Sequence, residues 1–136
     1  MSAPRIDLGA VCRDGRDEDV AYVTDSWLRS YRAEQPDMLT RDYLPWQRAR
    51  IAFLLDRAGL YVAHPAADSV IIWAWLVCEP GVIHYAYTRP SAKLAGLGRM
   101  LLDHAGLKLP CNVSHLTDDG RRIKGDHDGQ LRYVPL

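Results

Sequence analysis

The sequence predicts a mixed α/β domain around a central, mostly antiparallel sheet. Two stretches of helical periodicity, residues 20–33 and 40–57, come first. Apolar β-branched runs separated by short turn-rich segments follow, as in an antiparallel meander. The last of these runs passes through a glycine-containing turn into a short helix and a further apolar run, the order of a βαβ crossover.

The chain has 136 residues, 48% of them hydrophobic and 25% charged. That suits a single domain spanning 1–136, burying about two-thirds of its unfolded surface. No apolar run approaches the ~18 residues of a membrane span. The first ten residues, MSAPRIDLGA, lack the apolar core of a signal peptide. Formal net charge is zero, which gives no general attraction to nucleic acid or to an anionic membrane. The three cysteines, Cys12, Cys78 and Cys111, are scattered and odd in number. They read as reduced thiols of a cytoplasmic protein.

In chain order, residues 6–11 form the first apolar segment, read as a strand, and residues 12–19 are charged and turn-like. Val20, Val23, Trp27 and Tyr31 then recur at helical spacing, with Asp14 or Asp17 as the expected cap. Glu34-Gln35-Pro36-Asp37 stops that helix. In the second helix Thr40 is the expected N-cap and Pro45 falls early. Leu44, Ile51, Leu54 and Leu55 make its apolar face, and Gly59 its stop.

Residues 60–64 read as a strand. Residues 70–78, VIIWAWLVC, are too rich in β-branched and aromatic types for a helix and suit a strand covered on both faces. Glu79-Pro80-Gly81 is a turn, and residues 82–88 return antiparallel. After the glycine turn, residues 98–105 form a helix ended by Gly106, and 107–116 a strand parallel to 82–88. Residues 117–130 are polar and glycine-rich, and 131–136 form a last strand.

The ligand-binding centre falls on residues 88–102, TRPSAKLAGLGRMLL. Gly96 and Gly98 let a ligand approach the backbone closely. The first N–H groups of the following helix lack intrahelical acceptors and sit at the positive end of its dipole, which favours phosphate or pyrophosphate. Arg89, Lys93, Arg99 and Lys108 surround the turn, opposed only by Asp103. The absent G-K-[ST] excludes a P-loop, and the absent third glycine excludes a dinucleotide fingerprint.

Lys93-Leu94-Ala95-Gly96-Leu97-Gly98 resembles the R/Q-x-x-G-x-G/A loop of the GNAT acyl-CoA N-acyltransferases. The strand end at Thr88, Pro90, and the buried side of the helix at Leu101 and Leu102 extend the likeness. Lys93 departs from the usual Arg or Gln, keeping the charge without the forked donors. The resemblance implies a GNAT-like fold with helices on both faces of the sheet. It implies acetyl-CoA as acyl donor, held by Tyr87, Thr88 and the loop Lys93, Leu94, Ala95, Gly96, Leu97, Gly98 and Arg99. It also implies that 82–88 and 107–116 splay apart to admit the pantetheine arm. The two early helices then border the acceptor, so Trp27, Tyr31 and Trp46, with Tyr43, become substrate-contact candidates. The plainer reading of each is a core or rim aromatic.

The implied reaction is direct attack of a primary amine on the thioester in a ternary complex. It needs a polarised carbonyl and a route for the ammonium proton, but no enzyme nucleophile. His84 is the candidate base, since imidazole titrates near neutrality. By strand alternation Tyr85 and Tyr87 point to the opposite face, so His84 and the tyrosines compete for the substrate side. The plainer reading of His84 is a sheet histidine bonded to a neighbour. The tyrosine that protonates the leaving thiolate in many GNAT enzymes has no counterpart here, and Tyr133 is the only tyrosine further on.

Cys111-x-x-x-His115 with His104 and His127 is too sparse for a zinc site, so no metal is expected. Arg121-Arg122-Ile123-Lys124 is interspersed among four aspartates and reads as a solvated loop. Two alternatives stand beside the enzyme: a non-catalytic GNAT-like scaffold and a nucleic-acid-modifying relative. A homodimer is compatible with each.

Overall fold

The computed structural model describes residues 9–33, 40–92, 96–107, 111–113 and 131–133, with only the backbone at 40–43, 111, 113 and 131–133. Its elements are β1 (Ala10–Asp14), α1 (Val20–Ala33), α2 (Thr40–Arg57), β2 (Gly59–Pro65), β3 (Ala74–Glu79), β4 (Val82–Thr88), α3 (Leu97–Ala105), β5 (Cys111–Val113) and β6 (Leu131–Tyr133). A short 3₁₀ turn, Asp17–Asp19, leads into α1, and another, Pro90–Ala92, follows β4.

The sheet runs β1-β2-β3-β4-β5-β6 in sequence order. Pairing is antiparallel through β4 and parallel from β4 to β5 and from β5 to β6. The expected meander and crossover are therefore both present, and α3 is the crossover helix. Side chains alternate across the sheet and build two cores. Ala74, Leu76, Cys78, Ile83 and Ala86 meet Leu97, Met100, Leu101 and Leu102 of α3 on one face. Val62, Trp75, Val77 and Tyr85 meet Val23, Trp27 and Leu28 of α1 and Ile51 and Leu54 of α2 on the other.

Four sequence expectations need correction. The first strand is Ala10–Asp14, not 6–11; residues 1–8 lie outside the described part. Its charged half extends because Arg13 finds a carboxylate, Asp19, 2.7 Å away. The expected strand 70–78 begins only at Ala74. Val70 instead donates its N–H to Asp68 Oδ1 in a loop and is 84% exposed. Neither Asp14 nor Asp17 prepares the start of α1. Asp19 instead fixes the 3₁₀ turn that leads into α1, accepting the N–H of its N-cap Arg16 at 2.7 Å. Gly59 opens β2 rather than closing α2 in a left-handed cap. Its missing Cβ leaves room for the Tyr61 ring, whose hydroxyl would otherwise lie 2.8 Å away. The expected Thr40 cap, the stop at 34–37 and the segment 117–130 fall outside what is described.

Candidate functional site

β4 carries an irregularity at its centre. Val77 faces Tyr85 and Cys78 faces Ile83, so His84 has no opposite number on β3 and is the extra residue of a β-bulge. The bulge overturns the alternation expected from sequence. Ile83 and Ala86, three apart, share the α3 face, while Tyr85 and Tyr87 share the α1–α2 face. On its other side β4 pairs in parallel with β5, Val82 with Asn112 and Ile83 with Val113.

His84 is 1% exposed, and its Nε2 lies 2.6 Å from Glu79 Oε2. The other oxygen of Glu79 accepts from Arg57 Nε at 3.3 Å. The His84 bond, followed by the Arg57 charge, outweighs desolvation and holds the Glu79 carboxyl below the usual carboxylate range. A carboxylate accepts only, so Nε2 carries the hydrogen. Glu79 is thus a site residue that the sequence reading placed merely in a turn. The turn itself is Pro80-Gly81, and Glu79 is the last residue of β3. Its signal was a carboxylate five positions before a histidine across a tight hairpin.

Tyr85 is 2% exposed, stacks on Trp27 and Trp75, and shares a 2.8 Å hydrogen bond with Ser30 Oγ. Trp75 donates its indole N–H to Ser26 at 2.9 Å. Of the acceptor-side candidates, Trp27 is wholly buried in this stack. Tyr31 is half-buried with its ring edge-on to Tyr85, and Trp46 stands 57% exposed on α2. The structure therefore brings Trp27, Tyr31 and Tyr85 together and leaves Trp46 apart; the Tyr43 side chain lies outside the described residues. Sequence reasoning missed Gln47. It continues the buried stripe of Ile51 and Leu54, is 0% exposed, and its carboxamide atoms have no hydrogen-bond partner among the described residues. Its helical phase was the available signal.

At the end of β4, Thr88 is buried, and the Arg89 guanidinium lies 5.4 Å from the centre of the Tyr22 ring. Burial first, then Tyr22, raises the Tyr87 phenol. Gly96 precedes α3 at φ 69°, and no side chain among the described residues caps the helix start. Leu97 turns into the core, Gly98 lies within the first turn, and Arg99 is exposed. Lys93, Leu94, Ala95 and Lys108 lie outside the described residues. At the other end Gly106, also left-handed, closes the helix by donating to Asp103 O and Leu102 O.

Among the described residues, no cluster of three metal-ligating side chains exists and no helix is long and apolar enough to cross a membrane. Neither Cys12 nor Cys78 is in a disulfide among the described residues, and burial, then Asp103, pushes the Cys12 thiol up to about 11. His115 and His127, and the side chains of Cys111 and Tyr133, are outside the described part.

The chain has the GNAT fold. It superposes on a GCN5-related N-acetyltransferase of Rhodopseudomonas palustris at a TM-score of 0.62 and 15% identity, covering 90% of this chain and 82% of that one. A GCN5-related N-acetyltransferase of Ralstonia eutropha JMP134 gives 0.59 and 16% over 94% of both chains. Apo YjaB of Escherichia coli gives 0.54 and 21%, covering 71% of this chain, which spans 63% of the YjaB chain. No family model matches the sequence, and no curated protein matches it.

Proposed function

We propose that the protein is an acyl-CoA N-acyltransferase that passes an acetyl group from acetyl-CoA to a primary amine by direct attack. The observation that carries this reading is the start of α3. On the crossover of a GNAT fold, Gly96 turns the chain into a helix whose first N–H groups meet no side-chain cap among the described residues. Those donors and the helix dipole suit a pyrophosphate. Tyr87, Thr88, Gly96, Leu97, Gly98 and Arg99, with Lys93, Leu94 and Ala95, form the proposed cofactor cradle.

The thioester then lies along β4 near the bulge, about 13 Å from Thr88 at four strand residues. His84 is the proposed proton acceptor there, and Tyr31 a proposed wall of the acceptor site. The acceptor is a small amine, a lysine or a peptide N-terminus. Calorimetry with CoA, followed by acetyl-CoA turnover on a panel of amines, tests the proposal. Replacing Gly98 with a bulky residue abolishes CoA binding in this reading, and undiminished affinity in that variant would remove the cradle.

A second reading, a CoA-binding scaffold without turnover, draws on the burial of both His84 and Tyr85. Tight CoA binding with no product from any amine would select it.

A further inference from the structure

We infer that Glu79 is the positioning residue for His84 and the route by which a proton on His84 reaches solvent, through a cleft at the opposite end of α3 from Gly96. The inference rests on the acyl-transfer reading, because the acceptor ammonium supplies that proton. His84 is too enclosed to release a proton to bulk water from its own ring. Glu79, however, has one oxygen on the imidazole and the other on Arg57, and its side chain is 24% exposed. It lines a cleft of about 560 Å³, walled by Arg57, Tyr61, Pro80, Gly106 and Leu107. The cleft opens beside the last turn of α3, about 13 Å from Gly96 at nine helical residues. Donor loop and proton outlet are therefore at opposite ends of one helix.

The charges around the pair favour this use. Among the described residues, the titratable groups lining the cleft with Glu79 are Arg57 from α2, Tyr61 from β2 and Cys78 from β3, and the α3 wall offers none. Burial, the largest cause, raises the Tyr61 phenol, so it stays neutral at pH 7. The His84 hydrogen bond first, and the Arg57 charge after it, keep Glu79 ionised at rest. An ionised Glu79 fixes the imidazole with its Nε2 hydrogen toward the carboxylate and favours the imidazolium when it forms.

The step balances without a co-reactant. The substrate ammonium gives one proton to Nδ1 of neutral His84, and the freed amine lone pair attacks the thioester carbonyl carbon. As the C–N bond forms the C–S bond breaks, and CoA leaves as a thiolate that takes the second proton from the nitrogen, giving amide and free thiol. The imidazolium passes its Nε2 proton to the Glu79 carboxylate, which hands it to water in the cleft. His84 is then neutral with its hydrogen on Nδ1, Glu79 is ionised, and one proton has moved from ammonium to solvent. After product leaves, Nδ1 gives its hydrogen to water in the emptied acceptor site and Glu79 returns one from the cleft to Nε2, which restores the resting tautomer.

Glu79→Gln keeps the shape and an acceptor oxygen but removes the charge. The first measurement is the titration of the His84 ring by NMR in the full chain without ligand, assigned with His84→Gln. Loss of the carboxylate should lower its midpoint by about one unit, a tenfold loss of proton affinity. An unmoved midpoint overturns the pairing. Arg57→Ala, a change at an exposed side chain, should raise the midpoint, and it decides the matter if Glu79→Gln fails to fold; a midpoint that does not rise then overturns the pairing.

The second measurement is the pH–rate profile with an accepted amine. Glu79→Gln should lower kcat about ten- to hundredfold, as for other carboxylate-held histidines, leave the KM for acetyl-CoA unchanged, and displace the acid limb. An active Glu79→Gln enzyme with an unaltered profile overturns the proton route while leaving acyl transfer standing. A wild-type protein that turns over no amine removes acyl transfer and the route with it, whereas the NMR arm still decides the pairing.

Discussion

Replacing Asp19 with Asn should unfasten the corner that holds α1 over the sheet. Arg13 of β1 grips Asp19 with both terminal nitrogens, at 2.7 and 3.0 Å, and the Arg16 N–H adds a third bond at 2.7 Å. Arg13 also reaches Ser69 O at 3.1 Å, so one cluster ties β1, the start of α1 and the loop before β3. The two side chains are 12% and 5% exposed. Breaking a buried ion pair from one side costs about 3–5 kcal/mol, because the remaining charge is stranded. Arg13 keeps two backbone carbonyls and some water, which places the expected loss near 3 kcal/mol. Burial works to raise the Asp19 carboxyl, but the Arg13 bonds, the Arg16 N–H and both arginine charges prevail and lower it. A depressed carboxyl contributes its stability above the unfolded-state value, roughly pH 4, and loses it as pH falls through the folded value. Urea unfolding of both proteins should therefore show the widest gap at pH 7 and a narrowing one toward pH 3. A gap below about 0.5 kcal/mol at pH 7, the size of an ordinary surface substitution, or one indifferent to acid, would refute the reasoning.

Three further outcomes are expected. Gly96→Ala should cost about 1–2 kcal/mol in urea unfolding, since an added Cβ meets nothing within 4 Å and only the left-handed backbone objects; an unchanged or higher midpoint would speak against that conformation. Ser26→Ala should cost about 1–3 kcal/mol, because the buried Trp75 indole N–H loses its acceptor. Near-ultraviolet circular dichroism of the tryptophan stack, read beside unfolding, checks it. His84→Gln should lower kcat/KM by about 10²–10⁴ and erase the near-neutral limb of the pH–rate profile while CoA affinity holds; an active variant with the wild-type profile would end the case for His84 as base.

The fold was legible wherever hydrophobic period and punctuation agreed. Residues 40–57 and 82–88 read as α2 and β4 with the bounds the structure has. Gly106 marked the end of α3 because only a left-handed residue closes that turn cheaply. Reading failed where a partner distant in sequence decides. Cys12–Asp14 looked like a turn because charge discourages a strand, yet Arg13 is neutralised by Asp19. Val70 and Ile71 looked like strand by composition, yet Trp73 already bonds Ala63 O and the regular ladder begins only beyond it. At the candidate site, the glycines and the histidine were visible as residue types. The bulge was not, because register is a property of two strands and β4 alone contains no sign of it.

That bulge bears on what His84 is for. With His84 taken out of β4, Ile83 would still face α3, and Tyr85 and Tyr87 would still face α1 and α2, now in strict alternation. The β3 register would close without a gap, since Cys78 already faces Ile83 and Val77 already faces Tyr85. Neither apolar cluster includes the extra residue. A bulge also sacrifices ladder pairing and bends the strand. His84 is nonetheless fully buried, with its ring on the Glu79 carboxylate. Tyr85, by contrast, is fully engaged by its stack and by Ser30. The extra residue of the bulge is the one that holds a titratable ring against a carboxylate. This singles out His84 rather than Tyr85 as the group to test first for proton transfer.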